Sequence, residues 1–355
     1  MSVDPVFSVV LCTYNRGTLL ADAVRSLLAL APGSPPHEIL VVDNNSRDQT
    51  RELVHGFIPE SGGRLRYLFE GKQGLSHARN AGIAASRGRI VAFTDDDVRA
   101  SPDWLIALDR AFRDHPDVVF AGGKVLPLWP VEPPRWLTAA NWGPLALVDY
   151  GDVGFETSRA RAVCLVGANM AYRREVFAEF GGFEPFFQHE QGAVSAVEDH
   201  EFELRLHRAG LKGWYEPAAV IHAEVQPNRL TKAYHRKWHF DHGRATVRMI
   251  PRDHYLGADL MPTPFSRNTR RLLNAPIFLY RQIATSALHY VRAAATRRPD
   301  RQFAAESDIR EALGSIHYYH VTSRQPGAEL APAAPPVIAT LADGRPGDGR
   351  VPLAT

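Results

Sequence analysis

Cysteine is scarce: Cys12 and Cys164 are the only two in 355 residues. Neither has a partner at metal-ligand spacing. A zinc site and a disulfide framework are therefore not expected, and a reducing compartment is. Long apolar runs are missing too. No window reaches the roughly 18 consecutive apolar residues of a membrane span. The start of the chain carries Asp4 and Pro5, with no basic segment and no apolar core, so it does not read as a secretory signal. No Gly-x-Gly-x-x-Gly follows an apolar run, which argues against a dinucleotide-binding dehydrogenase. Residues 12–18 hold only Gly17, too little for a glycine-rich phosphate loop of the nucleotidyltransferase kind. Net charge nearly vanishes, with 41 Lys and Arg against 39 Asp and Glu. No internal repeat is found. These absences leave a cytoplasmic enzyme or binding protein, with contact at the inner face of the cell membrane left open.

What is present is an ordinary globular composition, 45% hydrophobic and 23% charged, enough for a sizeable core. Short, almost wholly apolar runs occur at 7–11, 39–42, 65–69, 90–93 and 118–121, as expected of strands covered on both faces. Helix-period segments at 18–30, 49–57, 76–85 and 102–115 alternate with them, the last starting on Ser101-Pro102. Such alternation predicts right-handed crossovers and a mostly parallel sheet flanked by helices. Regularity fails over 126–160, which is rich in Pro and Trp. Strand character returns at 163–172. Helices are expected at 174–180 and 200–209, with a short strand at 220–222 between the second helix and the rest.

Beyond residue 230 the pattern is helical and basic to about 298. Residues 229–301 hold 15 Lys or Arg against 4 Asp or Glu. Either a solvated basic face or a phosphate-rich partner surface explains this. Trp238, Phe240, Ile277, Phe278 and Tyr280 are interleaved with the basic residues, so an anionic membrane is the favoured partner and nucleic acid is not expected. The expected organisation is a catalytic or binding domain over 1–228, a helical basic extension over 229–324 and a disordered tail over 325–355.

Thr94-Asp95-Asp96-Asp97 directly follows an apolar run. Three adjacent carboxylates repel one another unless a cation or hydrogen-bond donors meet them. The carboxyl ends of strands are where open α/β sheets bind ligands. Hard oxygens suit Mg2+ or Mn2+, which also recruit substrate phosphates; a solvated acidic loop is the alternative. Asp43-Asn44-Asn45-Ser46 ends the second run and reads equally as a contact to a base or ribose and as turn chemistry. Asp199, in Glu198-Asp199-His200-Glu201, reads first as a helix N-cap and second as a general base. His222 ends a short apolar run, where a structural histidine is commoner than a ligand.

Seven segments occur in order. They are Thr13-Tyr14-Asn15-Arg16, Asp43-Asn44-Asn45-Ser46, Gly74-Leu75-Ser76-His77-Ala78-Arg79-Asn80, Thr94-Asp95-Asp96-Asp97, Gly167-Ala168-Asn169-Met170, Gly181-Gly182-Phe183 and Glu198-Asp199-His200-Glu201. Together they resemble glycosyltransferase family 2, with its nucleotide-diphospho-sugar transferase (GT-A, Rossmann-like) fold, from about residue 7 to about 243. The resemblance implies an inverting, metal-dependent transfer of a hexosyl or deoxyhexosyl unit. The sugar would pass from a UDP-, dTDP- or GDP-sugar to an acceptor hydroxyl on a glycan or lipid-linked acceptor. It implies that Thr13, Tyr14, Asn15, Asp43, Asn44, Arg79, Asp95 and Asp96 flank the donor. Asp97, and less firmly His222, would bind Mn2+ or Mg2+, and Asp199 would be the base. A carboxylate common in the family is replaced by Asn44, which bears on nucleotide choice. The Gln-x-x-Arg-Trp segment of processive relatives is not matched by His235-Arg236-Lys237-Trp238, so one transfer per encounter is expected. A non-catalytic carbohydrate- or membrane-binding relative is the competing reading.

Overall fold

A computed structural model of the chain describes residues 4–185, 197–249 and 270–322. Strands β1 (Phe7–Thr13), β2 (His37–Asp43), β3 (Leu65–Phe69) and β4 (Ile90–Asp95) are joined by helices α1 (Gly17–Leu28), α2 (Thr50–Phe57) and α3 (Leu75–Ala85). Every residue of β1 is buried, as an apolar run with helices on both faces requires. Parallel pairing on both sides of β1 sets Thr13 opposite Asp43 and Cys12 opposite Asp95. The hydrophobic runs therefore end together, and the polar residues after them gather at one edge of the sheet.

The second half of the sheet departs from the expected parallel order. Its strands are β5 (Val98–Ala100), β6 (Val118–Leu128), β7 (Phe155–Thr157), β8 (Met170–Arg173) and β9 (Lys212–Glu224), with helices α4 (Trp104–Asp114), α5 (Glu175–Phe180) and α6 (Glu198–Arg208). Strand β8 lies between β4 and β6 and is antiparallel to both; β5 and β7 are antiparallel to β9, and only β6 and β9 pair parallel. The sheet is thus mixed. A parallel return needs a crossover at every step, and the chain reaches β8 instead through the irregular 129–169 excursion.

Three local expectations shift. Helix α4 begins at Trp104 with Asp103 at its N-cap position, not at Ser101-Pro102. Of the 163–172 run only 170–172 is strand, continuing to Arg173 as β8, because 167–169 forms a short 3-10 turn. The strand expected at 220–222 begins eight residues earlier. Polar Lys212, Glu216 and Pro217 hid it, and the pairing slips between Gly123 and Lys124 to pass over Pro217.

The extension comprises α7 (Lys232–Met249), α8 (Ile277–Ala295) and α9 (Pro299–Thr322). A hairpin of β10 (Arg271–Leu272) and β11 (Ala275–Pro276) interrupts the expected continuous helix, turning on Leu273 and Asn274 at positive φ. Helices α7 and α9 meet at backbone contact: a Cβ on Gly243 would strike the Glu311 carbonyl, and one on Gly314 the Phe240 carbonyl. Phe303 of α9 joins the main core, 4.4 Å from Trp136 of the Pro/Trp segment, so that segment is the seam for the extension. The aromatic side chains expected on an outward basic face turn inward. Phe278 and Tyr280 pack on the small α8–α9 core, and Phe240 stands 5.5 Å from His317. The outward large apolar residues of the extension are Leu272, Leu273, Leu288, Val291, Leu313 and Val321. No helix among the described residues is long and apolar enough to cross a membrane. The tail expected to be disordered lies outside the described residues.

Candidate active site

The gathered strand ends open on a cavity of about 1160 Å³. Thr13, Tyr14, Asn44, Arg79, Asp95, Asp96, Asp97 and Asp199 all line it. Residues expected near it from five separate stretches are thereby brought together. Asn15, Asp43 and His222 do not line it.

Each of those three has another placement. Asn15 takes the left-handed conformation (φ 52°), accepts from the Arg47 N–H at 2.7 Å and ties the first strand end to the second. Asp43 is buried, accepting from Ser46 N–H and from Tyr67 O–H at 2.8 and 2.7 Å. His222 sits on β9 opposite Arg99 and Leu126, while Ala223, Glu224 and Val225 line the cavity. Asn44 is at the wall but its amide is committed: it donates to the carbonyls of Lys72 and Glu70 and accepts from Gly74 N–H at 2.7 Å. A carboxylate there could not donate to two carbonyls, which is a local reason for asparagine.

The acidic cluster is met by cations that sequence reasoning did not assign. Arg16 Nη1 donates to Asp96 Oδ1 and Asp97 Oδ2, each at 3.0 Å. Arg229 Nη1 lies 3.9 Å from Asp97 Oδ2. Thr13 O–H donates to Asp96 Oδ2 at 2.8 Å. Burial nonetheless pushes Asp96 up to about 6, with Asp97 and Asp95 adding to the rise and Arg16 opposing it. Asp95 is also raised by burial, and its nearest ionic partner, Arg79, is 3.9 Å away. Arg16 lay in plain view in Thr13-Tyr14-Asn15-Arg16, but nothing in the spacing told of a partner 80 residues on.

The hard oxygen donors of Asp95 and Asp97 fit Mg2+ or Mn2+. The Arg16 guanidinium bridging Asp96 and Asp97 shows that the cluster draws a cation. Among the described residues no three His, Cys, Asp or Glu side chains converge as a complete metal site. Ligands from a substrate diphosphate would have to complete it, as is usual for these ions.

The first turn of α6 forms the wall facing this cluster. Glu198 is buried and pairs with Arg79 Nη1 at 3.1 Å. Burial, with Asp199 alongside, raises its carboxyl well above the usual range. Its Oε2 has no hydrogen-bond partner. Asp199 is not the helix cap, a place taken by Val197. Its Oδ2 accepts from Gly167 N–H at 3.0 Å and its Oδ1 from His200 N–H at 2.8 Å. Glu203 accepts from Leu165 N–H at 3.0 Å and is held high by burial.

Gly167 admits no side chain, since a Cβ would run into Arg79 and stand 3.0 Å from Asp199 Oδ2. Asn169 fixes that turn from the core. It is fully buried, accepts from Trp104 Nε1–H at 2.8 Å and donates to the Lys124 and Ala219 carbonyls, both at 2.8 Å. The Gly167-Ala168-Asn169 segment thus carries the Asp199 carboxylate. Sequence reading singled it out without giving it a task.

The family model described as Glycosyl transferase family 2 matches residues 8–181. The glucosyl-dolichyl phosphate glucuronosyltransferase of Haloferax volcanii is 30% identical over 179 residues, covering 50% of this chain and 55% of that protein. The succinoglycan biosynthesis protein ExoM of Rhizobium meliloti is 30% identical over 241 residues, covering 67% and 73%. Among solved structures, the mannosyltransferase PcManGT of Pyrobaculum calidifontis, in complex with GDP-mannose and Mn2+, superposes with a TM-score of 0.58. It is 17% identical, with 91% of this chain and 89% of that one covered, which speaks to the fold alone.

Proposed function

The chain belongs to glycosyl transferase family 2, and from that premise we propose an inverting glycosyltransferase that moves a hexosyl or deoxyhexosyl unit from a nucleotide diphosphate to an acceptor hydroxyl. Cell-surface polysaccharide or glycolipid synthesis is the proposed setting. The observation that carries this reading is the single cavity shared by Asp95, Asp96, Asp97 and Asp199.

Donor and acceptor duties divide between the two walls. Tyr14, exposed at the rim, and Asn44 flank the nucleotide. Asp97, with Asp95 beside it, would hold Mn2+ or Mg2+, which when bound supplies Lewis-acid stabilisation of the departing diphosphate. Arg16 and Arg229 then release Asp97 and turn to phosphate oxygens, adding positive charge where negative charge develops. Arg79 stays with Glu198 and holds the two walls in register. Asp199, steadied by two backbone N–H groups, accepts the proton of the attacking hydroxyl. One displacement from the opposite face inverts the anomeric carbon. Asn15 and Asp43 support from behind the wall, and His222, which does not line the cavity, is left out of the proposed metal set.

A cytoplasmic location with contact at an anionic leaflet belongs to the same proposal. The residues available for that contact are Leu288 and Val291, flanked by Arg281 and Arg292 on α8. Full recovery in the soluble phase with anionic vesicles at low salt would count against it.

The test is a thermal-shift panel of uridine, thymidine and guanosine diphosphates, each with and without Mn2+. A ligand of the native state raises the midpoint by mass action. Metal-dependent stabilisation by one nucleotide supports the reading and fixes the donor class. No shift with any nucleotide, in folded protein, moves the balance to a carbohydrate-binding relative without catalysis.

A further inference from the structure

The cavity has two walls of opposite chemistry. Three arginines line it, Arg16, Arg79 and Arg229, and all three stand on acids of the donor side or on Glu198. Beyond the acidic cluster and α6, the lining continues as a wall built from the 139–150 turn and α7. It presents Trp142, Pro144, Leu145, Tyr150, Trp238 and His242. No Lys or Arg of that turn or of α7 is among the described residues lining the cavity. Its one carboxylate, Asp149, is paired with Lys124 at 3.2 Å.

This aromatic wall is prebuilt. Trp238 and His242, one helical turn apart, stack with centroids 4.4 Å apart and planes 10° from parallel. Tyr234 O–H donates to the Pro144 carbonyl at 3.3 Å, fixing the turn against α7. Gly143 lies against the edge of Trp238, where a Cβ would stand 3.8 Å from Cη2, an ordinary packing distance. His242 also feels the charge of Asp199, so the stacked pair stands within electrostatic reach of the proposed base.

Flat aromatic faces beside a hydroxyl-seeking carboxylate suit a ring with apolar C–H faces and polar edges. An acidic sugar or a polyprenyl phosphate would bring negative charge beside Asp199 at a wall that, among the described residues, offers no Lys or Arg of its own to meet it. We propose that this wall is the acceptor subsite and that it takes an uncharged sugar ring, held at Trp142 and Trp238 with one hydroxyl at Asp199. The proposal rests on the transferase reading above and names its acceptor class.

The test uses the full chain with Mn2+ and the nucleoside diphosphate selected by thermal shift. It is applied to an array of neutral glycans, acidic glycans and immobilised undecaprenyl phosphate. Wild-type protein is expected to be retained on one or more neutral glycans. Trp238→Ala should bind them about tenfold more weakly, Trp238→Phe should recover binding, and both should keep the nucleotide-dependent midpoint rise. Retention confined to acidic glycans or polyprenyl phosphate overturns the proposal. So does retention on no neutral glycan by protein that binds nucleotide, or neutral-glycan binding undiminished in both Trp238→Ala and Trp142→Ala. Loss of any nucleotide-dependent shift in folded wild-type protein sinks the transferase reading instead, and this inference falls with it.

Discussion

Strands β1 to β4 run parallel and are joined by short helices, whereas β5 to β9 mix directions and are linked by long irregular chain. The first region holds the residues proposed to flank the nucleotide, at strand ends fixed by register except for Arg79 on α3. The second holds Asp199, the Gly167 turn and the aromatic wall, each placed by a different long-range contact. A regular scaffold can present one conserved kind of ligand at its edge. An irregular wall can change shape without disturbing it.

The comparison breaks most sharply at the two sets of carboxylates. Asp97→Ala should lose both nucleotide-dependent stabilisation and turnover. Asp199→Asn should keep the stabilisation and lose about 10²–10⁴ in turnover. Near-normal transfer by Asp199→Asn would remove the base assignment, because shape is preserved while the proton acceptor is gone.

The next test lies on the seam between the regions. Arg79 and Glu198 are each about 4% exposed and 3.1 Å apart. Arg79→Ala leaves Glu198 buried without its cation and should cost about 3–5 kcal/mol in denaturant unfolding. A loss well under 1 kcal/mol would mean that the two walls do not depend on this pair.

Gly314→Ala sharpens the comparison from the acceptor side. The new methyl forces α9 off the Phe240 carbonyl of α7 and should cost about 1–3 kcal/mol. Nucleotide-dependent stabilisation should survive. Its loss would show that the extension also shapes the donor side.

The smallest expected effect is in pH. Burial holds Asp96 at about 6, above the usual carboxylate range, so the acid is protonated below that point and ionised above it. Divalent cation binding favours the ionised form and so releases a proton near pH 6. Mn2+ affinity should weaken as pH falls through about 6, by up to tenfold per unit for each proton released. Calorimetry in two buffers of different ionisation enthalpy reads this proton count. Affinity unchanged between about pH 7 and 5 would detach the Asp95–Asp97 cluster from the metal.

Much of the first region was legible. The 65–69 strand is observed with its predicted bounds, and the other three begin at or within two residues of prediction, because a buried apolar run is a local signal. The second region was less so. Most of strand β9 was hidden by Lys212, Glu216 and Pro217, which interrupt its apolar character, and β8 was expected but started seven residues too early because the 167–169 turn carries apolar residues as well. At the site, the residue types were readable and their partners were not. Arg16 was named in its segment without a task, and Trp238 read as part of a membrane face until α7 laid it against Gly143.

The sequence by itself determined where Asp43 and the Asp95–Asp97 cluster fall: at the ends of buried strands, because apolar runs end where the chain leaves the core. Only the tertiary structure decided which of them share a cavity. Asp43 turned to Tyr67 and His222 stayed off the wall, while Asp95 and Asp199, more than a hundred residues apart, came to line one space. Strand formation is written in neighbours along the chain. The company a side chain keeps depends on register and crossovers, which bring together residues with no local signal in common.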